Sequence, residues 1–225
     1  MNRDAFVAAS SDLGVKLSED QISDFELYEE RLYAANEVMN LTRVPRDECY
    51  IRHFLDSLLV GRIIAELVPA GKVLDIGTGP GFPAWCLSCA FPDMQITALD
   101  SNTKMLGFLY DNALSNLETV LNRAEDWGVR EEFDVVTGRA LAPLNIQMEL
   151  SAAPVKMGGY VVPMRTPQDD LTRDYWTKLG LELVEVREAP LPETDIIRVF
   201  PIFKKVKPTY PSFPRKWNDI KRKPL

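Results

Sequence analysis

The sequence predicts an α/β protein, a mostly parallel sheet with helices on both faces, an antiparallel strand near one edge, and a helical segment in front. Three observations predict it. Apolar residues recur at three- and four-residue spacings through much of the first 70 positions. From Lys72 onward, short apolar runs alternate with helical stretches, the order that builds parallel sheets. The first such run ends in Asp75-Ile76-Gly77-Thr78-Gly79-Pro80-Gly81-Phe82, with glycines at alternate positions directly after a strand.

Ser18 with Gln21 forms a capping-box pattern, and Ile22, Phe25, Leu27, Tyr28, Leu32 and Tyr33 give the helix behind it an apolar face. A turn through Asn40 to Pro45 precedes a second helix predicted from about Asp47 to Leu67, which Pro69-Ala70-Gly71 ends. Strands are then predicted at Lys72 to Ile76, Gln95 to Leu99, Thr119 to Asn122, Phe133 to Thr137 and, after a Gly158-Gly159 turn, Tyr160 to Met164. Helices are predicted at Ala84 to Ala90, Thr103 to Ser115, around Glu125 and Asp126, at Asn145 to Pro154 and at Asp169 to Leu179. Leu181 to Arg187 and Ile196 to Phe203 close the sheet as an antiparallel pair. The expected organisation is a helical cap over 1–70, part of the same domain as a core over 71–203, and a basic tail over 204–225.

No run approaches the roughly 18 apolar residues of a membrane span, and no apolar signal core follows Met1, so a cytoplasmic protein is expected. Three cysteines are too few for a disulfide framework. Cys86 and Cys89 form a C-x-x-C inside a predicted helix, with neither a second pair nor a nearby histidine, so no metal site is expected. Charge is unevenly placed. Residues 204–225 hold eight Lys and Arg against Asp219, a net of +7, which leaves −14 for the rest of a chain whose total is −7. An acidic body with a basic end approaches a polyanion in one orientation, and Tyr210, Phe213 and Trp217, set among those cations, suit stacking on bases.

The glycine run carries the chemistry. Gly77, Gly79 and Gly81 let the backbone approach a ligand closer than a Cβ would permit, and the helix after the loop offers free N–H groups. The spacing is G-x-G-x-G rather than the G-x-G-x-x-G that seats a dinucleotide pyrophosphate, which argues against NAD. The next strand ends in Asp100, a carboxylate able to accept from ribose hydroxyls, and the strand after it in Asn122-Arg123-Ala124-Glu125, where an adenine amino group is within reach of polar partners. An adenosine cofactor without phosphates, S-adenosylmethionine, fits all three features.

With these segments in view, the chain resembles the bacterial 16S ribosomal RNA guanine-N7 methyltransferases, the glucose-inhibited division protein B family. The matching stretches are Asn40-Leu41-Thr42, Arg52-His53-Phe54-Leu55-Asp56-Ser57, the loop Asp75 to Pro83, Leu99-Asp100-Ser101, Asn122 to Glu125, Arg139-Ala140-Leu141-Ala142-Pro143-Leu144, and Tyr210-Pro211 with Pro214-Arg215-Lys216. The resemblance implies a Rossmann-like methyltransferase sheet with a helical cap, acting on one guanine of 16S ribosomal RNA or of the small ribosomal subunit; a monomer with no membrane partner is expected. It carries cofactor contacts to Gly77, Gly79, Phe82, Asp100, Ala124, Glu125 and Arg139, and pocket cations to Lys104, Arg123, Arg139 and Arg165. This chain departs from the family at Arg165-Thr166, where lysine and glycine are common, and at Met105, where an arginine is usual.

Guanine N7 bears a lone pair and no proton, so its methylation needs alignment rather than a general base, and no catalytic residue is assigned. His53, the sole histidine, is expected to be a hydrogen-bonded link between cap and sheet, oriented by Asp56, with substrate contact as the lesser reading. Two alternatives stay open at this point: a methyltransferase for a small molecule or protein, and a non-catalytic ribosomal RNA-binding protein.

Overall fold

The computed structural model describes residues 1–225. Its cap begins with α1 (Arg3–Asp12) and α2 (Glu19–Met39). The capping box forms as expected, Ser18 Oγ accepting from the Gln21 N–H and Gln21 Oε1 from the Ser18 N–H. The inward face of α2 is Ile22, Phe25, Tyr28 and Leu32. Phe25 stands at the centre of an aromatic cluster, with the rings of Phe6, Phe54 and Trp85 at 5.0, 4.9 and 5.2 Å in tilted or edge-on contact. The second helix is not one helix. A 3-10 turn (Arg46–Glu48) leads into a π-helical stretch (Tyr50–Leu55), and only then does α3 (Asp56–Leu67) run as an α-helix. A wider turn shifts the angular phase of the downstream residues by roughly 100° per inserted residue. Both His53 and Asp56 are buried there, while Arg52 stays exposed.

The sheet strands are β1 (Lys72–Ile76), β2 (Gln95–Asp100), β3 (Leu117–Leu121), β4 (Phe133–Arg139), β5 (Val155–Met164), β6 (Leu181–Pro190) and β7 (Ile197–Lys205), in the order β3-β2-β1-β4-β5-β7-β6. β7 runs antiparallel to both neighbours, and the other neighbouring pairs are parallel. Helices α4 (Ala84–Ala90), α5 (Thr103–Asp111) and α6 (Leu144–Ala152) connect the strands, and α7 (Trp217–Arg222) lies near the C-terminus. Successive strand residues feed opposite faces. Val73, Ile96 and Val135 join the larger core with the cap, whereas Leu74, Leu99 and Val136 join a smaller core with α6 and Trp176. The strand order reverses between β1 and β4, so both present their carboxyl ends at one switch point, where open α/β sheets bind ligands.

Several expectations need correction. α5 stops at Asp111 because the Asn112 side chain donates to the Phe108 carbonyl and turns the chain. Glu125 and Asp126 lie in a turn, not a helix. Gly158-Gly159 is no turn between elements but part of β5, where a bulge opposite Phe133 to Val135 absorbs the left-handed Gly158. The helix expected from Asp169 is reduced to a 3-10 turn (Tyr175–Leu179), since Arg165 claims the Asp169 carboxylate and Asp170 folds back on Thr172. The C-terminal stretch is no free arm. Lys204 and Lys205 belong to β7, and Lys205 is buried, its ammonium donating to the Ala152 carbonyl and to Thr209 Oγ1.

Phe25→Ala would empty the centre of the aromatic cluster. An unfolding free energy lowered by about 3–5 kcal/mol in urea titration is expected; a loss under about 1 kcal/mol would mean that the cap packs loosely on the sheet.

Candidate active site

Two cavities meet at the switch point. The first, about 260 Å³, lies beyond the carboxyl ends of β1, β2 and β3 and is lined by Gly77, Asp100, Asn122, Ala124, Glu125, Leu141 and Trp217, among others. Asp100 fixes the glycine loop: its Oδ2 accepts from the Gly79 N–H and its Oδ1 from the Asn102 N–H, both at 2.8 Å. Gly79 adopts φ +58°, and a Cβ there would meet little but Met105 Sδ at 3.7 Å, so the missing side chain leaves open space beside the loop. Gly81 is a glycine for another reason: a Cβ would come within 2.7 Å of the Tyr28 hydroxyl. That hydroxyl donates to the Pro80 carbonyl, fastening the loop to the cap. Glu125 Oε1 is buried with no hydrogen-bond partner; the Arg123 guanidinium lies 3.8 Å away, beyond bonding range. Two carboxylates, apolar walls and an orphaned acceptor fit an adenosine with its ribose hydroxyls and amino group.

The second cavity, about 430 Å³, adjoins the first through Ala140 and Ala142, which line both. Ala140 holds a left-handed φ of 51°, a conformation that costs a residue with a Cβ about 1–2 kcal/mol. Four guanidinium groups, Arg52, Arg139, Arg165 and Arg198, face two carboxylates, Asp56 and Asp169, an excess of two positive charges. Asp56 is fully buried. Its oxygens accept from Arg139 Nη1 at 3.1 Å and from Arg198 Nε and Nη2 at 2.6 and 2.9 Å. Arg165 grips Asp169 with two 2.8 Å bonds and donates from Nη1 to the Ala142 carbonyl and Gln147 Oε1. A lysine has no fork to match that carboxylate, so Asp169 and Arg165 suit one another.

His53 is held by Arg139 rather than by Asp56. Arg139 Nη2 lies 3.0 Å from Nδ1, and Thr42 Oγ1 lies 2.7 Å from Nε2. A guanidinium only donates, so Nδ1 accepts and Nε2 carries the hydrogen, donated to Thr42. The ring stacks on Phe82 at 4.1 Å and 3°. Burial, then the charges of Arg139 and Arg52, pull its pKa down to about 3, and with both nitrogens engaged the imidazole stays neutral. Burial pushes Asp75 the other way, to about 6. One of its oxygens accepts from the Ala84 N–H and the other has no partner.

The residues expected from sequence thus separate into groups. Gly77, Asp100, Arg123, Ala124 and Glu125 line the first cavity, and His53, Arg139 and Arg165 the second. Gly81 and Phe82 face the cap core instead, and Lys104 is exposed on the first turn of α5, lining neither cavity. Sequence reasoning misses Arg198, Asp169 and Trp217 as lining residues. Arg198 lies in a strand whose other residues signal only burial, and nothing local in sequence joins it to Asp56, 142 positions away. The cysteines stay thiols: burial pushes Cys49 and Cys89 up to about 12 and raises Cys86 well above its ordinary value. No helix is long and apolar enough to cross a membrane.

Known proteins decide the family. The family model described as "GidB: rRNA small subunit methyltransferase G" matches residues 21–189. The chain belongs to this family. It is accordingly an S-adenosylmethionine-dependent methyltransferase of small-subunit ribosomal RNA. It is 35% identical over 239 aligned positions, covering all of both chains, to the ribosomal RNA small subunit methyltransferase G of Lactobacillus johnsonii. It is 36% identical to that of Caldanaerobacter subterraneus, with 97% of this chain and 96% of the relative covered. Among solved structures, M. jannaschii TYW2 in complex with AdoMet shares the fold at TM-score 0.53 and 14% identity, over 67% of this chain and 77% of that one. An Aquifex aeolicus SAM-dependent methyltransferase does so at TM-score 0.51 and 16% identity, over 64% and 88%. These likenesses are of architecture, the Rossmann-like methyltransferase sheet.

The two shifted groups oppose each other in acid. His53, with its folded pKa below the ordinary 6.5, costs stability as pH falls from 6.5 toward 3; Asp75, with its folded pKa above 3.8, restores stability as pH falls through 6. Asp75→Asn leaves the histidine effect unopposed. Urea midpoints at pH 7 and pH 5 should therefore drop more steeply in Asp75→Asn than in the wild type; equal slopes would refute the assignment.

Proposed function

We propose that the chain methylates N7 of one guanine in 16S ribosomal RNA, with the first cavity holding S-adenosylmethionine and the second holding the RNA. The observation that carries this reading is the junction of the two cavities: a carboxylate-lined cleft suited to an adenosine opens, past Ala140 and Ala142, into a chamber with surplus positive charge. S-adenosylmethionine supplies a methyl group on a sulfonium sulfur, which departs with the bonding electrons. Asp100 and Glu125 bind the ribose hydroxyls and the adenine amino group, while Asp75, behind the loop, favours the cationic end. Arg139, Arg165 and Arg198 hold phosphates or the guanine O6, while Arg123 stands at the rim of the first cavity; Arg198 Nη1 has no protein partner among its hydrogen bonds.

N7 attacks with its own lone pair and loses no proton, so the chamber needs no base. His53 suits that chemistry by being neutral, with both ring nitrogens hydrogen-bonded, a spacer held between Arg139 and Thr42. Alignment of the reacting atoms is worth up to about 7–11 kcal/mol. Because N7 lies in the deep, narrow groove of A-form RNA, the target is a base splayed out of its helix.

The same reading takes residues 1–70 as a cap within one domain, since cap and sheet residues share a core, with 71–203 as its body and 204–225 as its basic end. The reading also takes the protein as a monomer, acting on a cytoplasmic particle. Incubation with S-adenosylmethionine and small subunits from cells lacking the protein should give one new N7-methylguanine on mass mapping; incorporation at another atom or into no RNA would refute the reading. Gly79→Val, which crowds the open side of the loop, should remove cofactor binding measurable by calorimetry while the protein stays folded. Arg139→Ala should lower methylation about 100-fold with a smaller effect on melting, because Asp56 keeps Arg198; normal activity per folded molecule would make Arg139 purely structural.

A further inference from the structure

Part of the first cavity is made by the C-terminal segment. Trp217, at the start of α7, is half-buried there and packs against the cluster of Ile146, Leu150 and Ile220, against which Ala124 and Leu141 of the same cavity also pack. The segment is firmly placed. Ile220 is fully buried, and Arg215 grips the fully buried carboxylate of Glu149 through its backbone N–H, Nε and Nη2. Arg130 donates to the Thr209 and Phe213 carbonyls, and Asn145 to the Leu225 carbonyl. These contacts hold Trp217 in the lining of the cleft that Asp100 and Glu125 also line.

We propose that Trp217 is a cofactor-binding residue, its indole forming one wall of the slot that takes the adenine ring of the methyl donor. The C-terminal segment then completes the donor site, and of the three aromatics that the sequence offers for stacking on RNA, Trp217 is spent on the cofactor. Only Tyr210, 70% exposed, remains open to a base; Phe213 packs against the smaller core. The chemistry is that of a flat purine against a flat apolar ring, with the exocyclic amine left for the polar turn at Asn122 to Glu125. An aromatic surface lost from beneath a base weakens binding about ten-fold or more. The inference rests on the reading of the first cavity as the donor site.

Calorimetry with S-adenosylhomocysteine, the stable product, separates the two claims. The wild type should bind, Trp217→Ala at least about ten-fold more weakly, and Trp217→Phe within a few-fold of the wild type. Ile220→Asp, which lifts the segment without touching the cleft, should reproduce the Trp217→Ala loss. Tryptophan emission gives a second readout: the change on adding S-adenosylhomocysteine should vanish in Trp217→Phe and persist in Trp127→Phe. Should Trp217→Ala misfold, that pair of phenylalanine variants decides alone, and an unchanged emission response in Trp217→Phe overturns the proposal. Equal affinity in wild type and Trp217→Ala also overturns it, whether or not small-subunit binding falls, and leaves the donor cleft standing. A wild type that does not bind S-adenosylhomocysteine sinks both.

Discussion

The Asp56 carboxylate is the constraint around which the site is organised. A fully buried ion without partners costs several kcal/mol, and here three hydrogen bonds from two guanidinium groups supply them. Those groups come from β4 and β7, and the acid comes from the start of α3, so one anion joins the cap to two strands of the sheet. Arg139, once fixed, orients His53. His53 stacks on Phe82, which closes the glycine loop. A run of contacts thus leads from the charged chamber to the end of the glycine loop.

The same site keeps polar groups that burial should penalise. Asp75 has an oxygen without a partner and a pKa raised to about 6; Glu125 has an unbonded oxygen in a side chain 5% exposed. Asp75 serves the fold by accepting from the Ala84 N–H at the start of α4, but nothing in the fold satisfies its second oxygen or Glu125 Oε1. In the proposed reading, Glu125 meets a hydrogen-bond donor of the cofactor at the carboxyl edge of the sheet, and Asp75, behind the loop, favours its cationic end. Ala140, strained in the left-handed region between the cavities, belongs with them: irregularity gathers where two binding spaces must touch.

Much of the fold is legible in the sequence because periodicity reports burial directly. The capping box at Ser18, the alternation after Lys72 and the glycine loop all reappear where expected. The losses have a common cause. The π-helical stretch at Tyr50–Leu55 has the same apolar spacing as a regular helix, so only geometry reveals its phase shift. The segment after Asp169 is helical in pattern, but a side chain from the end of β5 competes for its first acid. The basic end reads as a tail facing a polyanion because sequence shows its charge and not that Arg215 is spent on the buried Glu149. For the site, residues next to a strand end are visible, whereas Arg198 is not, since its importance comes from a partner far along the chain.

That separation matters for how the molecule comes into being. At a synthesis rate of about 5–20 residues per second, the 142 positions between Asp56 and Arg198 take roughly 7–28 s to make. Throughout that interval the cap has its acid but only Arg139, itself made late, to neutralise it. The charged chamber is therefore unfinished until β7 is made, and the first cavity, which Trp217 helps to line, is finished later still, so a chain that has reached only the sheet has neither pocket complete.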